Sequence, residues 1–337
     1  MNRNHCFSYT TIRKMLIAFV VLSMVALNGC GYQKSKDTPA LDHRYATKEE
    51  GRSLVLENKN YYKGFSQNEI EYRMQKKGAG IDDLVSFAQE QVMEFTTEEK
   101  ALLDGLFEEM ENSLKEKNYS LPPLEEIVLI KTTMKDESEA DAYTHGTQIY
   151  LNGDLIKAAA DGNEELMAGL KVIMWHELFH CITRCNPDFR KEMYRLIRFT
   201  ITDKEFPIPP SVFEYHITNP DVEHHDSYAT FVIDGRNIDC FTDMVTTKHF
   251  ENEGDDFFDS MTTALIPIDG TDVYYTPKQV ANFDEIFGKN TDYVIDPEEC
   301  MADNFAYSMV YGMNGKDGKP YPNPEIIEGI LSYLQTK

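Results

Sequence analysis

Val172-Ile173-Met174-Trp175-His176-Glu177-Leu178-Phe179-His180-Cys181-Ile182-Thr183 is the stretch whose reading decides the rest of the chain. Its pentad His176-Glu177-x-x-His180 puts two imidazoles four residues apart, one above the other on a single helix face. Two rings so placed can share one zinc ion, and Glu177 is then positioned as the general base for an attacking water. The flanks predict the helix this geometry needs. Asn163 suits an N-cap, Glu164 and Glu165 follow it at the positive end, and Leu166, Leu170, Ile173 and Leu178 recur at helical spacing before Pro187 sets the stop.

Two histidines leave a catalytic zinc one protein ligand short. Downstream, Pro297-Glu298-Glu299-Cys300-Met301-Ala302-Asp303 reads as a helix start, with proline in the first turn and acids at its positive end. Glu299 and Asp303 are i, i+4 neighbours there. Glu299 is the expected third ligand, and Asp303 the acceptor for the free ring N–H of His176. Glu298, one residue away, is the fallback ligand. His216, His224, His225 and Asp226 are chemically able alternatives, and Gly270-Thr271-Asp272 is a weaker one. His216, Tyr228 and Tyr307 are candidate donors to an oxyanion, with His216 placed first.

With these residues the chain resembles the gluzincin zinc peptidases, in the two motifs His176-Glu177-x-x-His180 and Glu299-x-x-x-Asp303. The resemblance implies one bound zinc ion, His176, His180 and Glu299 as its ligands, Glu177 as base and Asp303 as the residue orienting His176. It covers the two helices and the strand before the first. Thr183 and Asn186 stand where the metzincin pattern needs Gly and His, which excludes that group.

Strand patterns at 127–133, β-branched and apolar, and at 146–151, shorter and more polar, precede the motif helix and read as a central and an edge strand. An edge strand at that place can dock an extended peptide by strand addition. Helical patterns at 67–77, 81–95, 97–117 and 187–199, strand patterns at 227–233 and 261–268, and helices at 277–287, from Asp296-Pro297 and from Pro324 complete the reading. The expected class is α+β and zincin-like: a small mixed or antiparallel sheet packed on the motif helix, with additional helices.

At the N-terminus Arg13 and Lys14 precede thirteen residues, 15–27, that are apolar apart from Ser23. This is a signal-peptide pattern, and Leu27-Asn28-Gly29-Cys30 resembles a bacterial lipobox. The expected organisation is a signal peptide over 1–29, a lipid on Cys30, a polar tether over 30–64, and one metallopeptidase-like domain over 65–337. Of the six cysteines, Cys181, Cys185, Cys240 and Cys300 then remain, as buried thiols or with one structural disulfide.

Net charge is −24, and the first thirty residues hold three cations and no acid, so the remainder carries −27. Such a surface argues against nucleic acid as a partner. Two functions follow as expectations. One is zinc-dependent hydrolysis of peptide bonds by a lipid-anchored protein of the cell envelope, with peptides or proteins as substrates and the membrane as a partner through Cys30. The other is an extracytoplasmic lipoprotein that binds a ligand or partner without hydrolysing it. A closed site with a fourth protein ligand would favour the second.

Overall fold

The computed structural model describes residues 41–335, and the signal, lipobox and Cys30 lie outside them. The architecture is α+β, with two small sheets and several helices. No helix among the described residues is long and apolar enough to cross a membrane.

The first sheet is mixed. β3 (Ile127–Thr132) is buried along its whole length and lies parallel to β1 (His43–Tyr45) and to β5 (Gln148–Asn152). β2 (Val92–Met93) pairs antiparallel with the later half of β3, and β4 (Ala142–His145) pairs antiparallel with β5. β4 is therefore the edge, and the run at 146–151 is not. Gly146, at positive φ, and Thr147 form a two-residue turn between His145 and Gln148, so that run contains a hairpin turn followed by an inner strand. The tether reading of 30–64 is also corrected. From residue 41 the chain is part of the fold: Leu41, Ala46 and Val55 are buried, β1 pairs with β3, and Thr47 caps a helix over Lys48–Glu57. A strand of three residues carries no periodicity to read, because its place is set by backbone pairing.

The second sheet is an antiparallel meander of β6 (Thr200–Ile201), β7 (Ser227–Ile233), β8 (Arg236–Thr246) and β9 (Met261–Pro267). Asp234 and Gly235, both at positive φ, close the two-residue turn between β7 and β8.

The motif helix spans Glu164–Cys185. Asn163 caps it as expected, its Oδ1 accepting from the amides of Glu165 and Leu166 at 3.1 Å each. Replacing Asn163 with Ala is expected to cost about 0.5–2 kcal/mol in urea unfolding, by removing that acceptor from two otherwise orphaned amides. The helix over Thr97–Lys117 starts with a capping box, Thr96 and Glu99 bonding reciprocally.

Leu170, Met174, Trp175, Leu178, Phe179 and Ile182 bury the motif helix in the main core. Phe305, from the helix over Pro297–Tyr311, packs against Trp175 and Phe179 with ring centroids 6.1 and 5.4 Å apart. This contact holds the pentad against the acidic helix. The cysteines Cys181, Cys185, Cys240 and Cys300 are all free, and Cys185 is exposed where a buried thiol was expected.

Candidate metal centre

The acidic helix begins as its sequence predicts. Asp296 is the N-cap, with Oδ1 accepting from the amide of Glu298 at 2.8 Å, and Pro297 fills the first position, where no N–H is needed. Glu298 and Glu299 lie in the first turn and Asp303 one turn on, so one helix delivers three carboxylates to the face of the motif helix that bears His176 and His180.

The contacts divide the work. His176 Nδ1 meets Asp303 Oδ1 at 2.9 Å, and His180 Nδ1 meets Glu298 Oε1 at 3.0 Å. A carboxylate at Nδ1 keeps that ring's proton there and makes Nε2 the nitrogen that a metal would take, in place of any second proton. Both Nε2 atoms converge on Glu299 Oε2, at 3.0 Å from His176 and 3.6 Å from His180. Ligand atoms held about 2.0–2.1 Å from a tetrahedral ion lie about 3.3 Å apart, so the observed separations bracket what a zinc ion requires. A second sign is the polar atoms left over. His180 Nε2 and Glu177 Oε2 are buried and have no hydrogen-bond partner. An orphaned imidazole nitrogen inside a protein is costly unless something occupies its lone pair. The residues present fit a divalent cation.

The carboxylate partners are themselves anchored. Glu298 Oε1 also accepts from the Thr183 hydroxyl, and its Oε2 accepts from Tyr194 at 2.7 Å. Asp303 Oδ2 accepts from the Thr291 and Tyr307 hydroxyls.

Burial opposes charge on both rings, yet the acids outweigh it. Hydrogen bonds to Asp303 and Glu299 hold His176 well above the ordinary imidazole value, while Asp221, Glu298 and Glu299 push His180 up to about 10. Burial would raise Glu299, but the two histidines hold it well below the usual carboxylate range. A pocket whose field keeps protons on two imidazoles also favours a dication, whose entry releases those protons.

Compared with protein-family models, curated proteins and solved structures, the chain matches none. The chemistry is therefore read from the site itself.

Glu177 is 4% exposed. Burial, and then the charge of Asp221, raise it to about 8, against the pull of His176 and His180. A carboxyl poised near neutral pH can take a proton and return it within one reaction cycle. Its neighbour Asp221 is a residue the sequence did not single out. Single ligand atoms of Glu177, His180 and Asp221 all lie within 4.8 Å of one another, as do those of His176, His180 and Glu299. His180 belongs to both groups, so the described residues hold one centre with two overlapping donor sets.

Other sequence candidates lie elsewhere. His216 does not serve as an oxyanion donor, because its ring nitrogens are engaged by Asp243 Oδ2 at 2.8 Å and Thr218 Oγ1 at 3.1 Å. His225 lies 3.5 Å from Asp243 Oδ1, His224 pairs with Glu205 at the surface, and Asp226 forms a two-pronged pair with Arg190. Asp272 accepts from Ser211 on an exposed turn. Tyr228 pairs with Thr200 across β6 and β7. Tyr307 reaches the centre only through Asp303.

Glu298 was weighed as a substitute ligand and instead orients His180. The signal was available: the helix that carries Asp303 to one ring brings a first-turn acid to the other.

Proposed function

We propose that the chain is a zinc-dependent peptidase of gluzincin type on a zincin-like fold, hydrolysing peptide bonds outside the cytoplasm from a lipid anchor at Cys30. Peptides or proteins are its substrates, and the −27 carried beyond the first thirty residues leaves nucleic acid out. One observation carries the reading: His176 Nε2 and His180 Nε2 converge on Glu299 Oε2 at 3.0 and 3.6 Å, from the helix that also carries the buried, orphaned oxygen of Glu177.

Two imidazoles and one carboxylate form a zinc donor set that leaves a position open for chemistry. When bound, zinc supplies Lewis-acid polarisation of a carbonyl and acidifies water. Glu177 takes the proton from the attacking water and delivers it to the leaving amine. Asp303 and Glu298 hold the two rings in the tautomer that presents Nε2. The edge strand β4, packed beside the motif helix, offers backbone groups for an extended substrate.

The test is metal content measured together with cleavage of a mixed peptide library by the full chain. The expected result is one zinc per chain and cleavage that stops with a chelator and returns with added zinc. A chain that binds no zinc after loading would sink the reading. A second reading, a zinc-bearing binding protein without hydrolysis, is favoured by the burial of Glu177 and the closeness of Asp221. Stoichiometric zinc with no cleavage, in the native chain and in the Asp221 variants described below, would select it.

A further inference from the structure

We propose that the segment around Asp221 fills the place of the substrate at this centre, so that the chain as folded is latent. The inference rests on the metal reading above. It is carried by a different set of contacts.

Asn219, Pro220 and Asp221 lie across the centre. Asn219 Nδ2 donates to Glu299 Oε1, the oxygen not turned to the histidines. Asp221 brings an oxygen within 4.8 Å of ligand atoms of both His180 and Glu177. Two residues of one segment thus reach a ligand, the base and the second imidazole. His180 and Glu177, the two residues grouped with Asp221, each carry a buried atom without a hydrogen-bond partner, Nε2 and Oε2. A zinc site with three protein ligands keeps a position for water or substrate, and a segment of the chain lying against it excludes both.

The same segment consumes the edge of the sheet. Strand addition to β4 needs its outward amides and carbonyls. Asp221 Oδ1 accepts from both the amide, at 2.8 Å, and the hydroxyl of Thr144. The amide of Gly146 donates to Glu223 at 3.4 Å. Arg184, on the last turn of the motif helix, donates to the carbonyls of Thr144 and Gly146 on one side, and of Pro220 and Asp221 on the other. The pairing a peptide would make is made by the chain itself.

The base of the segment is tied by two elements, the helix over Gln67–Met74 and β8. Glu69 accepts from the amide and hydroxyl of Thr218, and Arg73 donates to its carbonyl. Asp243 engages His216 and His225, which flank the segment. Asp221 is therefore positioned toward the centre by its supports.

Cobalt(II) in place of zinc gives a visible spectrum that reports ligand number, and acetohydroxamate probes for an open position without requiring turnover. The full chain, loaded with cobalt(II), is titrated with acetohydroxamate for the native protein and for Asp221→Ala and Asp221→Asn, the second retaining shape and an acceptor oxygen. The expected result is no spectral change in the native protein through millimolar probe. In both variants the band shifts, with apparent affinity about tenfold or more higher, as a site closed about 90% of the time or more requires. Peptide cleavage is expected to rise in parallel. Native protein that binds the probe as tightly as the variants overturns latency and leaves the metal reading standing. Failure of all three chains to take up cobalt overturns both. If circular dichroism shows that neither variant folds, the native titration decides alone: silence supports the proposal, and a saturating shift in the low millimolar range or below overturns it.

Discussion

Glu177→Gln is expected to lower peptide hydrolysis by about 10²- to 10⁴-fold while leaving the zinc in place. The substitution keeps the shape of a side chain that is almost wholly buried, so the motif helix and its packing survive. Only the capacity to accept a proton is lost. Glu177 is not among the three residues whose ligand atoms converge, so metal content should match the native chain. The measurement pairs metal analysis with kcat/KM, and it is best made in an Asp221→Asn background, where a latent native protein would not hide the loss. Undiminished turnover would remove Glu177 from the chemistry. Loss of zinc with the activity would make it a ligand instead.

Glu298→Gln is expected to weaken zinc binding by about 10- to 100-fold, the usual consequence of disturbing a group that orients a metal-binding histidine. Glu298 accepts on both oxygens: from His180 and Thr183 on one, from Tyr194 on the other. An amide offers one acceptor and one donor, so whichever way it turns its NH2 faces a hydroxyl or ring proton. With the NH2 toward His180 the contact that fixes its tautomer is lost, and with the oxygen there the contact stays but without the carboxylate's charge. Competition against a chromophoric chelator measures the affinity. Hydrolysis should fall at limiting zinc and recover when zinc is saturating, which separates orientation of a ligand from participation in the reaction. An unchanged zinc affinity would show that Glu298 only packs.

The centre was legible where local rules govern it. A helix with a period near 3.6 stacks His176 on His180 and Glu299 on Asp303, and Asn163, Asp296 and Pro297 mark where those helices start. Sequence reasoning stopped where long-range pairing takes over. β4 was missed because four residues, Ala142–His145, give no run to recognise, although Gly146-Thr147 after them is a turn signal. β8 was missed through its polar residues, of which Asp239 and Asp243 face Thr230 and His216, and Asp234-Gly235 announced the hairpin without being read. His216 looked available because its partners, Asp243 and Thr218, are fixed by tertiary structure. Asp221 carries no local signature at all. It is held beside the centre by supports on distant elements, and no spacing records them.

Glu298, Glu299 and Asp303 ride on a single rod, seated by Phe305 against Trp175 and Phe179. Their mutual distances are set by helical pitch, and their distance from the imidazoles by the thickness of three aromatic rings. The tolerance of the polar centre is thus inherited from a greasy wedge that touches none of its oxygen or nitrogen atoms. A change in the size of that wedge would detune ligand, tautomer and charge together, so drift in such a molecule is constrained as firmly by carbon as by the residues that do the chemistry.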